Sequence, residues 1–289
     1  MTNYEYVQKT IDIFEDSLGS ARVITTASEL AGKIGYSVHH LNRLFQLLCG
    51  DSLGRYILKR RLAEAVCAVR GGVLPSQVYA LYGWEDYSAF SRSVRKEFGV
   101  APSKLSVLDA AALSLTYRAR PVLSSVQTQH PLDPVLLQTR SIHATGLVFF
   151  MDNNVKGFHK SWRIFSDNRH KIRDVKGNVT YQFSCWDENA SPENDGLWIF
   201  CAAETDSIVD QDMMFFSKTY PPLRILSFKH TGPVETIHDT YRRIYEEFIM
   251  NSKYKLTGSY EYQKYGEDGS IEICIPVCGG RNLTNAKVV

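Results

Sequence analysis

The sequence predicts two domains in series, an all-α domain followed by an α+β domain. Three observations carry this. Residues 35–50 and 83–99 repeat one helical pattern at an offset of 49. Residues 118–134, RARPVLSSVQTQHPLDP, put three prolines among polar residues and mark a change of composition. Beyond them the apolar period shortens toward two, and the order strand–helix–strand–strand occurs twice. A length of 289 residues fits two domains. We place the first at 1–110, a linker at 111–133 and the second at 134–289.

The first repeat, GYSVHHLNRLFQLLCG, carries two stripes. Leu41, Leu44, Phe45 and Leu48 form an apolar one. His39, Asn42, Arg43 and Gln46 form a polar one on the opposite side, at i, i+3, i+4 and i+7. Ser37 stands where an N-cap belongs and Gly50 where a helix stops. Asn and Arg are the side chains that pair bidentately with adenine and guanine edges. The second repeat, GWEDYSAFSRSVRKEFG, aligns with one insertion. Phe90 falls on Leu41, Arg92 on Arg43, Val94 on Phe45 and Gly99 on Gly50. Its polar stripe is Ser88, Ser91, Arg92 and Arg95, its apolar stripe Phe90, Val94 and Phe98, and Asp86 is its N-cap. Two copies must meet one geometry, so the repeat says more than either helix alone.

A helix precedes each copy. Thr26-Ala27-Ser28-Glu29 has the form of a capping box, and Pro75 suits a first helical turn. Helix, glycine turn, helix is the helix-turn-helix pattern. Residues 3–18 make an earlier amphipathic helix with Val7, Ile11, Phe14 and Leu18 inward. Residues 52–70 make a long one whose run Lys59, Arg60, Arg61 is expected to be a basic surface. Nineteen residues reach about 28 Å, close to the roughly 34 Å between successive major grooves on one DNA face. One rigid helix could therefore hold two reading helices on adjacent grooves, so that a monomer suffices. Residues 102–113 are expected to form the last helix of this domain.

These residues resemble the AraC/XylS family of transcription regulators, whose tandem units end in a run like that of residues 83–102, GWEDYSAFSRSVRKEFGVAP. The first unit, GYSVHHLNRLF, matches as well. The resemblance covers residues 5–106. It implies double-stranded promoter DNA as partner, RNA polymerase as a second partner, and an activator's role. Arg43 and Arg92 would read bases, with His39, Asn42, Gln46, Tyr87, Ser88 and Ser91 beside them and Arg95 and Lys96 near phosphate. Val94 replaces a usual Phe. His39 stands where close relatives carry Trp, and Tyr87 and Ser88 replace polar amides, which implies a different second half-site.

In the second half, strands are expected within 135–150, 179–186, 197–205, 223–230, 260–265 and 270–277, and helices at 157–171 and 234–250. A doubled unit of this kind surrounds a pseudo-twofold axis with a cleft between its halves. LRILSFKHTGP (223–233) and IEICIPV (271–277) resemble the GyrI-like effector-binding domain. That resemblance implies a small amphiphilic or cationic aromatic ligand, with Glu272 contacting it. Tyr181, Trp198, Tyr220, Tyr260 and Tyr262 are candidate ring donors, since a carboxylate among aromatic faces suits a cation. Glu272 on an alternating strand can equally face solvent, with the rings in the core.

Composition sets further bounds. Net charge is only +2. Residues 33–104 hold eleven Lys and Arg against five Asp and Glu, which suits phosphate contact, while residues 187–212 hold eight acidic residues and no basic one. No run of about 18 apolar residues suggests a membrane span, and the first residues lack a signal-peptide pattern. The six cysteines form no C-x-x-C pair and read as reduced thiols of a cytoplasmic protein. No metal, cofactor or catalytic residue is expected. His39 and His40, adjacent on a helix, diverge by about 100° and read as a DNA-facing surface rather than a chelating pair. Ser227, His230 and Glu235 read as a strand end with a cap. Two rival readings stay open: a ligand-hydrolysing second half, as some GyrI-like domains are reported to have, and a ligand-sequestering protein whose DNA-binding half is secondary.

Overall fold

A computed structural model of the chain describes residues 1–122, 132–151, 155–186, 197–207, 210–257, 260–278 and 287–288. The chain divides into two compact units, Met1–Leu123 and Ser124–Val289.

The first unit is helical throughout: α1 Asn3–Leu18, α2 Ala27–Ile34, α3 Val38–Cys49, α4 Leu53–Arg70, α5 Pro75–Leu81, α6 Tyr87–Phe98 and α7 Ala110–Tyr117. Short polar side chains start most of these helices by accepting free N–H groups of the first turn. Thr2 and Glu5 form a full capping box on α1, Thr26 accepts from Glu29 N–H on α2, Ser52 caps α4 and Asp86 caps α6. Ser37 holds the N-cap position of α3 but its hydroxyl makes no capping bond. Both α3 and α6 end on a glycine in the left-handed region, Gly50 at φ 76° and Gly99 at φ 69°, where a side chain would be strained.

The apolar stripes are buried as expected. Leu41, Leu44 and Phe45 of α3 are fully covered, as are Phe90 and Val94 of α6. Phe90, Val94 and Trp84 pack with Leu62, Ala65 and Val66 of α4 and with Val78 and Leu105. Residues 102–113 are not one helix. Pro102–Val107 is a 3-10 turn, and α7 begins at Ala110, capped by Asp109. It runs to Tyr117, so it occupies the start of the range 111–133 placed as a linker and ends where the composition changes at residue 118.

The second unit is built on a ten-stranded sheet: β1 Val135–Gln138, β2 Ile142–Met151, β3 Val175–Trp186, β4 Leu197–Thr205, β5 Phe216–Tyr220, β6 Arg224–His230, β7 Lys255–Leu256, β8 Tyr260–Tyr265, β9 Ile271–Cys278 and β10 Lys287–Val288. Two helices accompany it, α8 Val155–Asn168 and α9 Ile237–Arg243, the latter continuing as a π-helical turn over Ile244–Ile249. The strand order is β10-β1-β6-β9-β8-β3-β4-β2-β5, with β7 on β9. The doubled strand–helix–strand–strand unit is therefore present, its halves joined by the antiparallel pair β3–β8 and symmetric about it. The preceding strand of each half is exchanged: β1 pairs with β6, and β5 with β2.

Period two divides the side chains between the two faces of this sheet. Leu147, Ile199, Cys201 and Ala203 pack with Phe165 of α8 on one face. Tyr181, Phe183, Phe200, Tyr220, Tyr260 and Tyr262 form an aromatic cluster on the other. There the sheet curls strongly. Tyr220, on the edge strand β5, stacks on Phe183 of β3 with centroids 3.8 Å apart, although β4 and β2 lie between them in the order. Gly146 of β2 is required at this curl: a Cβ there would sit 1.9 Å from the Cys201 carbonyl oxygen.

Phe90→Ala is expected to remove the centre of the second helix-turn-helix core. Chemical denaturation should show a loss of about 3–5 kcal/mol, whereas Tyr87→Ala, on the exposed side of the same helix, should stay within about 0.5 kcal/mol.

Candidate nucleic-acid interface and effector cavity

On α6 the polar stripe stands clear. Tyr87, Ser88, Arg92, Arg95 and Lys96 are exposed and Ser91 is half-buried, while Phe90 and Val94 on the other side are fully covered. On α3 Gln46 is exposed and His39, Asn42 and Arg43 are half-buried. Arg43 and Arg92 thus occupy equivalent positions on the polar faces of the two helices, with charge and fork-shaped donors suited to a guanine edge.

Three expectations need correction. Asn42 is engaged within the protein: its Oδ1 accepts the Leu53 N–H at 2.7 Å and caps the start of α4. His40 is 1% exposed, so only His39 of the pair borders the surface. The run Lys59-Arg60-Arg61 is no basic surface. Arg60 is buried, donating through Nε and Nη2 to the two Glu15 carboxylate oxygens at 2.7 Å each and to Glu64 at 2.9 Å. Arg61 is 7% exposed. It lies 4.2 Å over the Trp84 ring and donates to the Tyr82 carbonyl at 2.6 Å. Burial lowers its pKa to about 10, which leaves it charged at neutral pH. Lys59 is paired with Asp51 at 2.7 Å. A run of cations reads as surface because the anionic and aromatic partners that bury it are distant in sequence.

The ligand residues proposed for the second half do not all line one site: the four tyrosines share the aromatic cluster, and Trp198 lies apart. Tyr220 and Tyr260 belong to the aromatic core, at 3% and 9% exposure. Trp198 is 44% exposed and packs edge-on against Phe150. Glu272, Tyr181 and Tyr262 do meet, at a small hollow of about 160 Å³ shared with Arg140, Glu204 and Lys264. Its carboxylates are already satisfied: Glu272 accepts from Ser227 Oγ at 3.2 Å, and Glu204 pairs with Arg140 and accepts from Tyr181 Oη. His230 is held by Thr240 and by the Pro233 carbonyl, while Ser227 donates to Glu272, so Ser227, His230 and Glu235 form no relay.

A larger cavity, about 540 Å³, lies on the helix-bearing face. Phe158, His159 and Trp162 of α8 form one wall, and Ile237, His238 and Tyr241 of α9 another. Thr180 and Gln182 of β3 with Gln263 and Tyr265 of β8 form the floor. The cavity therefore sits at the junction of the two halves, the cleft that the doubled unit implies, and its size and aromatic walls suit a drug-sized molecule. Sequence reasoning missed these residues. Two buried glutamines on strands otherwise alternating apolar and polar were the available signal.

Among the described residues no group of three or more His, Cys, Asp or Glu could hold a metal, and no helix is long and apolar enough to cross a membrane. The described cysteines are free thiols.

Tandem helix-turn-helix units with matched polar faces, followed by a doubled sheet unit with a central cavity, define a DNA-binding half joined to an effector-binding half. Comparison with known proteins agrees. Residues 30–106 match the helix-turn-helix domain family, and residues 136–277 the family of the integron-associated effector binding protein. Multiple antibiotic resistance protein MarA of Salmonella typhimurium is 31% identical over 102 residues, 35% of this chain and 78% of that protein. The chain belongs to the AraC-type helix-turn-helix regulators, with a GyrI-like effector-binding second half. The right origin-binding protein of Escherichia coli K12 is 28% identical over 155 residues, 53% of this chain and 47% of that protein, so the chain spans about half the length of this curated relative. Among solved structures, the Vibrio cholerae integron cassette protein VCH_CASS2 aligns with 52% of this chain and 100% of its own at 14% identity and a TM-score of 0.39.

His39 supplies a pH dependence. Burial first, then the neighbouring His40 and Arg43, lower its pKa from 6.5 to about 3. The unfolded chain thus binds a proton between these values that the folded chain does not, so stability is full above pH 6.5 and falls below it. The fall is about 1.4 kcal/mol per pH unit. Denaturation between pH 7 and 5 should show this loss in the wild type and a flatter profile in His39→Gln.

Proposed function

We propose that the protein is a sequence-specific transcription regulator, an activator, that binds promoter DNA as a monomer and responds to a small amphiphile held in the cavity of its second half. It reads two successive major grooves with α3 and α6. Arg43 and Arg92 contact bases, Gln46, Ser88, Ser91 and Tyr87 lie beside them, and Arg95 and Lys96 neutralise phosphate. His39, neutral at physiological pH, adds a polar but uncharged neighbour to Arg43. RNA polymerase is the protein partner, and the cytoplasm the place of action.

One observation carries the reading: an exposed stripe of Ser88, Arg92 and Arg95 on a helix whose opposite side is fully buried. Such a helix is anchored by one face and offers the other to the groove. Arg92 makes no hydrogen bond or ion pair with another described residue, so it is available to a base edge. The name of one relative, the transcriptional regulator Rob of Salmonella typhimurium, 36% identical over 75 residues, supports the regulator part of this reading.

Arg92→Ala should weaken binding to a specific promoter fragment by about 1–3 kcal/mol and relax specificity at one half-site, with a smaller effect on random duplex. Fluorescence-anisotropy titration against both DNAs checks this. Equal losses on the two would assign Arg92 to phosphate and remove the case for base reading.

A further inference from the structure

The floor of the cavity is made of amides. Gln182 and Gln263 are directly paired across β3 and β8, 3% and 6% exposed, at the symmetric centre of the doubled unit. The orientation of Gln182 is fixed by a partner that leaves no choice. An indole N–H can only donate, so the Gln182 oxygen faces Trp162 Nε1, at 2.7 Å. The two N–H groups of Gln182 then make no hydrogen bond to another described residue. Gln263 accepts from Tyr265 Oη and donates to Tyr241 Oη at 3.2 Å.

Negative charge is absent from this floor. Glu235 is the one carboxylate among the lining residues described, and it is exposed. Glu261 lies two residues before Gln263 on the same strand, but it is outside the lining and accepts from Tyr245 Oη at 2.7 Å. The lining histidines, His159 and His238, are exposed. A lipophilic cation entering here would shed its water without meeting a counter-charge, which is costly. Attraction to the rings returns only part of that. The N–H donors of Gln182, a lining residue of the cavity, offer a ligand acceptor a hydrogen bond in a site largely shielded from water.

Resting on the effector reading above, we propose that the cavity takes an uncharged planar aromatic compound bearing a carbonyl acceptor and discriminates against aromatic cations of the same shape. The carbonyl accepts from Gln182 Nε2, and the rings lie between Trp162 and Tyr241.

N-methylacridone and N-methylacridinium test this, since they share a tricyclic frame and differ in having a carbonyl or a positive charge. Calorimetric titration of the full-length protein should show N-methylacridone binding at least about tenfold more tightly, and Gln182→Glu and Gln263→Glu should each move the ratio toward the cation. The wild-type ratio needs no variant and stands whether or not these fold. If the wild type binds the cation as tightly or more tightly, in competition with the acridone, the inference is overturned while the cavity remains an effector site. If neither probe binds, the inference is overturned and the effector reading of the cavity loses its support with it.

Discussion

Two adjacent arginines on α4 organise the DNA-binding half. Successive helix residues point about 100° apart, so Arg60 and Arg61 leave the helix toward different neighbours. Arg60 reaches Glu15 of α1, beneath the first helix-turn-helix unit. Arg61 reaches Trp84 and the Tyr82 carbonyl, in the turn that leads into α6 of the second. Arg60, buried and paired with Glu15 and Glu64, resists displacement because breaking the pair leaves an uncompensated charge, and Arg61 is held by its bond to a carbonyl and by the face of the Trp84 ring. These two side chains therefore fix each unit to the same rod. Thr25 adds a contact from the first unit to the second: a Cβ on Gly83 would lie 2.5 Å from its methyl group. The separation of α3 and α6 then follows from α4, whose 18 residues span about 27 Å.

The second half obeys a different constraint, the symmetry of a doubled sheet. Its two copies meet at β3–β8, and exchange of β1 and β5 ties each copy to the other. One face is spent on a curled aromatic core. The other carries α8 and α9, one from each copy, with the cavity over the symmetric centre between them. On the function proposed above, a ligand held there would touch both copies and both helices at once, so that its binding energy would act on how the two copies pack, as an effector must do to shift a population.

Much of the first half was legible in the sequence because its signals are local. Stripes at helical spacing, short polar caps and terminal glycines set α3 and α6, and Arg43 and Arg92 stand out by repetition. What failed there was long-range. Arg60 and Arg61 look like solvated surface until Glu15, 45 residues away, and Trp84 are placed beside them. Asn42 looks like a base reader until it caps α4. In the second half the strands and helices were legible from period two and period 3.6, apart from β5, a five-residue edge strand following an acidic stretch, and the two-residue strands β7 and β10, too short to show a period. The cavity was not, since it draws two or three residues from each of four elements far apart in sequence. The tyrosines proposed as ring donors, Tyr181, Tyr220, Tyr260 and Tyr262, share the face turned away from the helices. The glutamines that form the cavity floor are on the other.

The central claim is that α4 holds the two reading helices at one fixed separation. Affinity for duplexes in which the spacing between half-sites is changed one base pair at a time tests it directly. Two added base pairs rotate one half-site by roughly 70° about the DNA axis, so affinity should peak at a single spacing and fall at least about tenfold on either side. An affinity that stays within about twofold across the series would mean that the two helices move independently, and would contradict the account.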